Sequence, residues 1–283
     1  MAESSNFGSS TDGQPRWWLR LLGGFAVAGG PGGERPPLSG KRERALLAYL
    51  ALSPGCRTSR RKLAFLLWGD ATDETALDNL RTSVWRLRRA LGDAEHRVIT
   101  SDGEDIVLNA GLFDIDALAF LHLSAQSNRS DLEAAATLYG GEFLSGLVIE
   151  SEEFESWQRA EAERCRNQAI DVLGRLIAQQ DACGDIDRAI ETGIRLLGLD
   201  PLHEAAARRL MRLYGQSGRR GAALQVYRSL VGTLQTELDA EPEPETKLKN
   251  PPSWVIILPL SWPSGRFLFP KKVMRLTFTL SFS

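Results

Sequence analysis

The chain has 283 residues, 43% of them hydrophobic and 25% charged, enough apolar material for one large domain or two smaller ones. No stretch approaches the ~20 apolar residues of a membrane span, and the opening MAESSNFGSSTDGQPR lacks the apolar core of a secretory signal. Cys56, Cys165 and Cys183 form no CxxC, which argues against a disulfide scaffold or a zinc module and for a reducing, cytoplasmic setting. The net charge of −2 hides an uneven distribution: 15 basic against 11 acidic residues over 16–110, 13 against 23 over 111–246, and 6 against none over 247–283. A basic front and an acidic back suggest a polyanion-facing module joined to one with other partners.

Residues 1–15, rich in Ser and Gly, are expected to be a disordered leader. WWLRLLGGFAVAGG then offers two short apolar runs around Gly23-Gly24, the pattern of a small hairpin. After a Gly/Pro-rich loop, KRERALLAYLALSPG predicts a first helix, with Ser39 as its cap, Leu46, Leu47 and Leu50 on one face, and Pro54-Gly55 as its stop. TSRRKLAFLLWGD predicts a second, capped by Thr58 or Ser59, burying Leu63, Leu66 and Leu67 and ending at Gly69. A third begins at Thr72 or Asp73 and runs through NLRTSVWRLRRALG to Gly92. RVITSDGEDIVLN closes the set with a hairpin turning at Ser101-Asp102-Gly103.

Strand pair, three helices and hairpin within about 95 residues describe a winged helix-turn-helix, whose third helix enters the DNA major groove. The third helix has the composition that role requires. Leu77, Leu80, Val84, Leu87 and Leu91 form one apolar stripe at helical spacing, and the remaining arc is crowded with arginine. Asn79, Thr82, Ser83 and Arg86 are the candidates for reading base edges. Arg42, Arg60, Arg61, Lys62, Arg81, Trp85, Arg88 and Arg89 are the candidates for the phosphate backbone, and Arg57 lies in the same basic turn.

From Phe113 onward the pattern reads as entirely helical. Leu176 recurs as Leu210, Gly184 as Gly218, Ala189 as Ala223 and Ile190 as Leu224, each 34 residues apart, and a 34-residue period indicates tetratricopeptide-like helix pairs. Two repeats do not bury a continuous core, so the segments DLEAAATLYGGEFL and ESEEFESWQRAEAERCRNQAIDVLGRLIAQQ are expected to supply the missing faces.

LRLLGGFAV, PLSGKRERALLAYLALSPG, SRRKLAFLLWGD, NLRTSVWRLRRALGD and LYGGEFLSGL with a following FESW resemble the antibiotic-regulatory-protein (SARP-type) transcription regulators. The resemblance covers about residues 16–246. It implies an OmpR-type winged helix followed by a bacterial transcriptional activator domain of tetratricopeptide-like helices. It further implies binding to direct-repeat promoter sites, recruitment of RNA polymerase, and often a pair of protomers on DNA. The expected wing departs from its relatives: SDGEDIVLN carries Asp102, Glu104 and Asp105 where they tend to carry a Gly-Tyr pair and basic residues. Residues 247–283 lose every acidic residue and gain Pro, Trp and Phe, a break expected of an out-of-frame or truncated end, and no function is assigned to them.

The expected fold is therefore mainly α with small β elements, with a winged helix at 16–112 and an all-α repeat domain at 113–246. The expected function is a sequence-specific DNA-binding transcription regulator, an activator acting through RNA polymerase, with double-stranded DNA as partner and no membrane. The alternative is a helical-repeat adaptor whose DNA-binding module is weak or vestigial. No cofactor, metal or catalysis is expected. SGKR at 39–42 lacks the first glycine and the Ser/Thr of a phosphate loop, and His96, His122 and His203 stand apart from one another and from cysteine.

Overall fold

The computed structural model describes residues 16–30 and 38–247. The expected leader, the tail beyond Lys247 and most of the Gly/Pro-rich loop lie outside the described residues. Strand β1 (Trp17–Arg20) pairs antiparallel with β2 (Ala26–Gly29), and its alternation buries Trp17 and Leu19 while Trp18 and Arg20 face outward.

Helix α1 (Lys41–Leu52) buries nearly its whole length, from Ala45 to Ala51. Its N-cap is Gly40 rather than the expected Ser39, and no side chain caps it. A 3-10 turn over Pro54–Cys56, with Gly55 at φ +62°, leads into β3 (Arg57–Ser59), a strand too short to show a period in the sequence. Helix α2 (Arg60–Trp68) starts at Ser59, whose hydroxyl accepts the Lys62 N–H at 3.3 Å.

Helix α3 (Asp73–Ala90) starts at Thr72, which accepts the Thr75 N–H, with Asp73 and Glu74 in its first turn and Arg88 and Arg89 in its last, both favourable to the helix dipole. Strands β4 (Ile99–Asp102) and β5 (Asp105–Leu108) form the wing, with β3 completing a sheet of order β3-β5-β4.

After a 3-10 turn at Ala110–Leu112 comes a departure from the all-helical reading. Phe113–Ile115 is a strand, β6, lying parallel to β1 in a sheet of order β2-β1-β6. Three residues of extended chain carry no periodicity, so the sequence hid it. Helix α4 (Asp116–Ser124) follows at once. Its first residue is buried and reaches back to the end of β1, accepting the N–H groups of Leu21 at 2.8 Å and Leu22 at 3.0 Å, and its own neighbour Ala117 at 2.7 Å.

The repeat region continues with α5 (Arg129–Leu138), α6 (Glu152–Ala182), α7 (Ile186–Leu199), α8 (Glu204–Gln216) and α9 (Arg220–Leu238), each packed on the next. The 34-residue period is structural: Gly184 and Gly218 both take φ +75° in the turns before α7 and α9, and Ala189 and Ala223 are both buried. Arg212 pairs with Asp181 and Arg219 with Asp187, stitching the second helix pair to the first.

LYGGEFLSGL folds back on the chain's beginning. Leu144 N–H donates to Leu21 C=O at 2.8 Å and Gly23 N–H to Glu142 C=O at 3.1 Å. Gly23, at φ +85°, passes so close to the Gly140 backbone that a Cβ would meet it at 3.0 Å. Beside this contact Trp157 of α6 stacks edge-on against Tyr49 of α1 at 4.8 Å and Phe143 at 5.6 Å, and Ser151 Oγ donates to Leu66 C=O of α2 at 2.6 Å. One hydrophobic core runs from Trp17 through α1, α2 and α3 into the repeats as far as Leu213.

A cut at 112/113 would therefore strip β6 from β1 and Trp157 from Tyr49. A fragment covering 113–246 should be helical by circular dichroism but melt well below the full chain; an equal melting temperature would mean that the shared core contributes nothing.

Burial pushes the Asp116 carboxyl up to about 6 from an ordinary 3.8, against the pull of the three N–H groups. The folded chain thus holds the extra proton, so this group's stabilising contribution is full below about pH 4 and lost as pH rises through about 6. Asp116→Asn should flatten that slope in urea denaturation. Asp116→Ala, leaving three buried N–H groups without their acceptor, should cost about 1–3 kcal/mol at pH 7.

Candidate nucleic-acid interface

The apolar stripe of α3 is buried at Leu80, Val84, Leu87 and Leu91 and half-buried at Leu77, with α3 packed on α1 and α2. Opposite the stripe, Thr82, Trp85, Arg86 and Arg89 are exposed and Asn79 is half-buried. Thr82 donates its hydroxyl to Asp78 C=O, Arg81 pairs with Asp78 at 2.7 Å, and the Arg89 guanidinium lies 5.5 Å over the Trp85 ring. Trp85 is 57% exposed, an unusual cost for a tryptophan in a helix whose other side is a core.

Ser83 does not join this face. It is buried, and its hydroxyl donates to Glu43 Oε1 of α1 at 3.1 Å, which corrects its expected place among the base-edge candidates. Helical spacing alone leaves Ser83 beside Thr82 near the polar face, and only the approach of Glu43 from α1 turns it inward. Arg86 Nη1 lies 3.6 Å from the same carboxylate oxygen while its side chain stays 63% exposed. Glu43, Arg42, Trp68, Asn79, Thr82 and Arg86 line an open cleft of about 420 Å³ where α1, α2 and α3 meet.

The remaining basic residues divide between the surface and the frame. Arg61 and Lys62 are exposed at the start of α2, Lys62 lying 5.9 Å over the Tyr49 ring. Arg42 is half-buried, donates to Leu67 C=O at 3.2 Å and lies over Trp68. Arg60 reaches Ser101 Oγ of the wing at 2.9 Å. Arg88 is half-buried, donates from Nε to Ile99 C=O at 3.0 Å and also reaches Ser101. Burial lowers its guanidinium pKa, with Asp93 opposing and Arg60 adding to the effect. Arg88 thus ties α3 to the wing, a role invisible in the sequence because Ile99 lies on the far side of the turn.

That turn is built on a second buried carboxylate. Asp93 follows Gly92, which takes φ +66°, and accepts the N–H groups of Arg97 at 2.6 Å, Val98 at 3.0 Å and Ile99 at 2.9 Å. Across the wing, Arg57 pairs with Asp102 at 2.9 Å and Asp105 at 2.5 Å, so two of the three wing carboxylates are already matched. Its guanidinium pKa is raised, first by the hydrogen bond to Asp105 and then by the charge of Asp102. Arg57, read from the sequence as facing phosphate, is turned to the wing instead. Among the described residues no group of His, Cys, Asp and Glu is placed to hold a metal ion, and no helix is long and apolar enough to cross a membrane.

Comparison with known families gives two matches in the same order as the two structural parts. Residues 34–104 match the family described as "Transcriptional regulatory protein, C terminal", and residues 120–249 match "Bacterial transcriptional activator domain". By these two domains the chain belongs to the SARP-type regulators.

Similar SARP-type chains include the regulatory protein AfsR of Streptomyces coelicolor, 30% identical over 222 residues, 75% of this chain and 22% of AfsR. The transcriptional regulatory protein MoaR1 of Mycobacterium tuberculosis is 25% identical over 231 residues, 75% of this chain and 71% of MoaR1. The chain thus spans about a fifth of AfsR and most of MoaR1. A solved structure of Mycobacterium tuberculosis EmbR, in complex with a low-affinity phosphopeptide, superposes with a TM-score of 0.62 over 82% of this chain and 63% of that one. Its 22% identity speaks for the SARP-type fold alone: a winged helix-turn-helix followed by tetratricopeptide-like helices.

Because Arg88 joins α3 to β4, Arg88→Ala should loosen the wing. The expected result is a loss of about 1 kcal/mol in chemical denaturation and faster amide exchange at Ile99 and its neighbours. Unchanged exchange there would mean that Asp93 alone holds the wing.

Proposed function

We propose that this chain binds double-stranded DNA through α3 and regulates transcription, without catalysis. The observation that carries the reading is the exposed face of α3, where Thr82 and Arg86, with half-buried Asn79 beside them, stand over a buried apolar stripe. Asn79, Thr82 and Arg86 read base edges, arginine by its bidentate fit to guanine. Arg61, Lys62, Arg81, Trp85 and Arg89 meet the backbone, and Arg42 and Arg60 add charge from shielded positions at its margin. Ser83 and Arg88 act through the protein frame.

The family names of both domains, and the regulatory titles of AfsR and MoaR1, support transcriptional regulation as the outcome. Within that reading the chain acts as an activator: two protomers occupy promoter repeats and the acidic repeat helices engage RNA polymerase.

The test is electrophoretic mobility on a duplex enriched from a random library and on a shuffled duplex of equal composition. Arg86→Ala should cost about 1–3 kcal/mol on the enriched site and much less on the shuffled one. Arg61→Ala should weaken both alike and lower the salt slope by about one counterion. If Arg86→Ala weakens both equally, Arg86 is another phosphate contact and reading passes to Asn79 and Thr82. No salt-dependent shift with any duplex would leave the adaptor reading in its place.

A further inference from the structure

The cleft beside α3 contains one group that the DNA-binding reading leaves without a task. Glu43 stands in the first turn of α1 with its side chain only 7% exposed, too shielded to meet a base or a phosphate. Its carboxylate has one hydrogen bond, one opposite charge and one close backbone neighbour. Oε1 accepts the Ser83 hydroxyl at 3.1 Å and lies 3.6 Å from Arg86 Nη1. Oε2 lies over Gly40, so close that a Cβ there would sit 1.7 Å from it. A shielded carboxylate is retained where its partners need it, and of these partners only Arg86 reaches the solvent face.

We infer that Glu43 is a positioning residue for recognition: by drawing one nitrogen of the Arg86 guanidinium toward α1 it biases that arginine toward selecting a base rather than accepting any phosphate. The inference rests on the proposed reading of bases by Arg86. A guanidinium reads guanine with two parallel N–H donors in one plane, so the plane must be set before contact or its freedom is lost on binding. An anchored carboxylate beside one nitrogen narrows that freedom. The same negative charge offsets the pull of Arg86 on phosphate, which depends on charge and not on orientation. Both effects act in one direction, raising discrimination more than affinity. Ser83 then holds the carboxylate, and Gly40 leaves room for it.

The experiment compares full-length wild type, Glu43→Gln, Gly40→Ala, Arg86→Ala and the Glu43→Gln/Arg86→Ala double variant on the enriched and shuffled duplexes. Glu43→Gln keeps the shape and removes the charge. Gly40→Ala keeps the charge and displaces the carboxylate from a backbone already at φ −72°, so it carries the test should the first variant melt early. Each should lower the ratio of enriched to shuffled affinity by about fivefold or more, the lower end of what one arginine–guanine pair discriminates, with shuffled binding unchanged or stronger. The effect of Glu43→Gln on the ratio should vanish once Arg86 is alanine.

A ratio unaltered by both Glu43→Gln and Gly40→Ala, or altered equally with and without Arg86, overturns the inference while base reading by Arg86 stands. A ratio unaltered by Arg86→Ala overturns the base reading itself, and the inference with it.

Discussion

Wherever an element of this chain ends inside the protein, backbone N–H groups are left beyond the reach of water, and the placement of α3 depends on how they are met. The chain answers with short polar side chains at the joints. Asp93 takes three N–H groups where α3 gives way to the wing, and Asp116 takes three where β1 meets α4. Ser59 and Ser151 cap α2 and α6, the second also donating to α2. Apolar packing holds the elements together, but these oxygens decide where each one turns.

The four arginines between 81 and 89 show how little a side chain's identity says about its work. Arg81 pairs along its own helix, Arg86 lies against Glu43, Arg88 braces the wing and Arg89 covers Trp85. The exposed pairs contribute little to stability in water, whereas the half-buried Arg88 replaces solvent for a strand carbonyl and is part of the frame. Such a division follows from which neighbour each helical position meets, a matter of tertiary approach.

Legibility followed range. Thr72 and Ser59 announced α3 and α2 because a cap acts within three residues, and the 34-residue echo of Gly184 in Gly218 announced the repeats because each unit repeats one local solution. Strands β3 and β6 left no trace, being three residues long and held by partners about 50 and 95 positions away. Ser39 fails as a cap because the cap falls one residue later, at Gly40, where the carboxylate of Glu43 needs the space. The roles of Ser83 and Glu43 were hidden for a related reason: they lie 40 residues apart and neither is unusual alone. The site's outline was local and readable, and its buried support was not.

The contact of Trp157 with Tyr49 and Phe143 joins α6 to α1 within one core. A body of this kind has no symmetry of its own. On the proposed reading, with α3 in a groove, the helices that share its core as far as Leu213 would be carried with it in one sense. Reversing such a site end for end would then turn that helical arm with it, so the order of letters in the DNA would become a compass heading for whatever the arm touches.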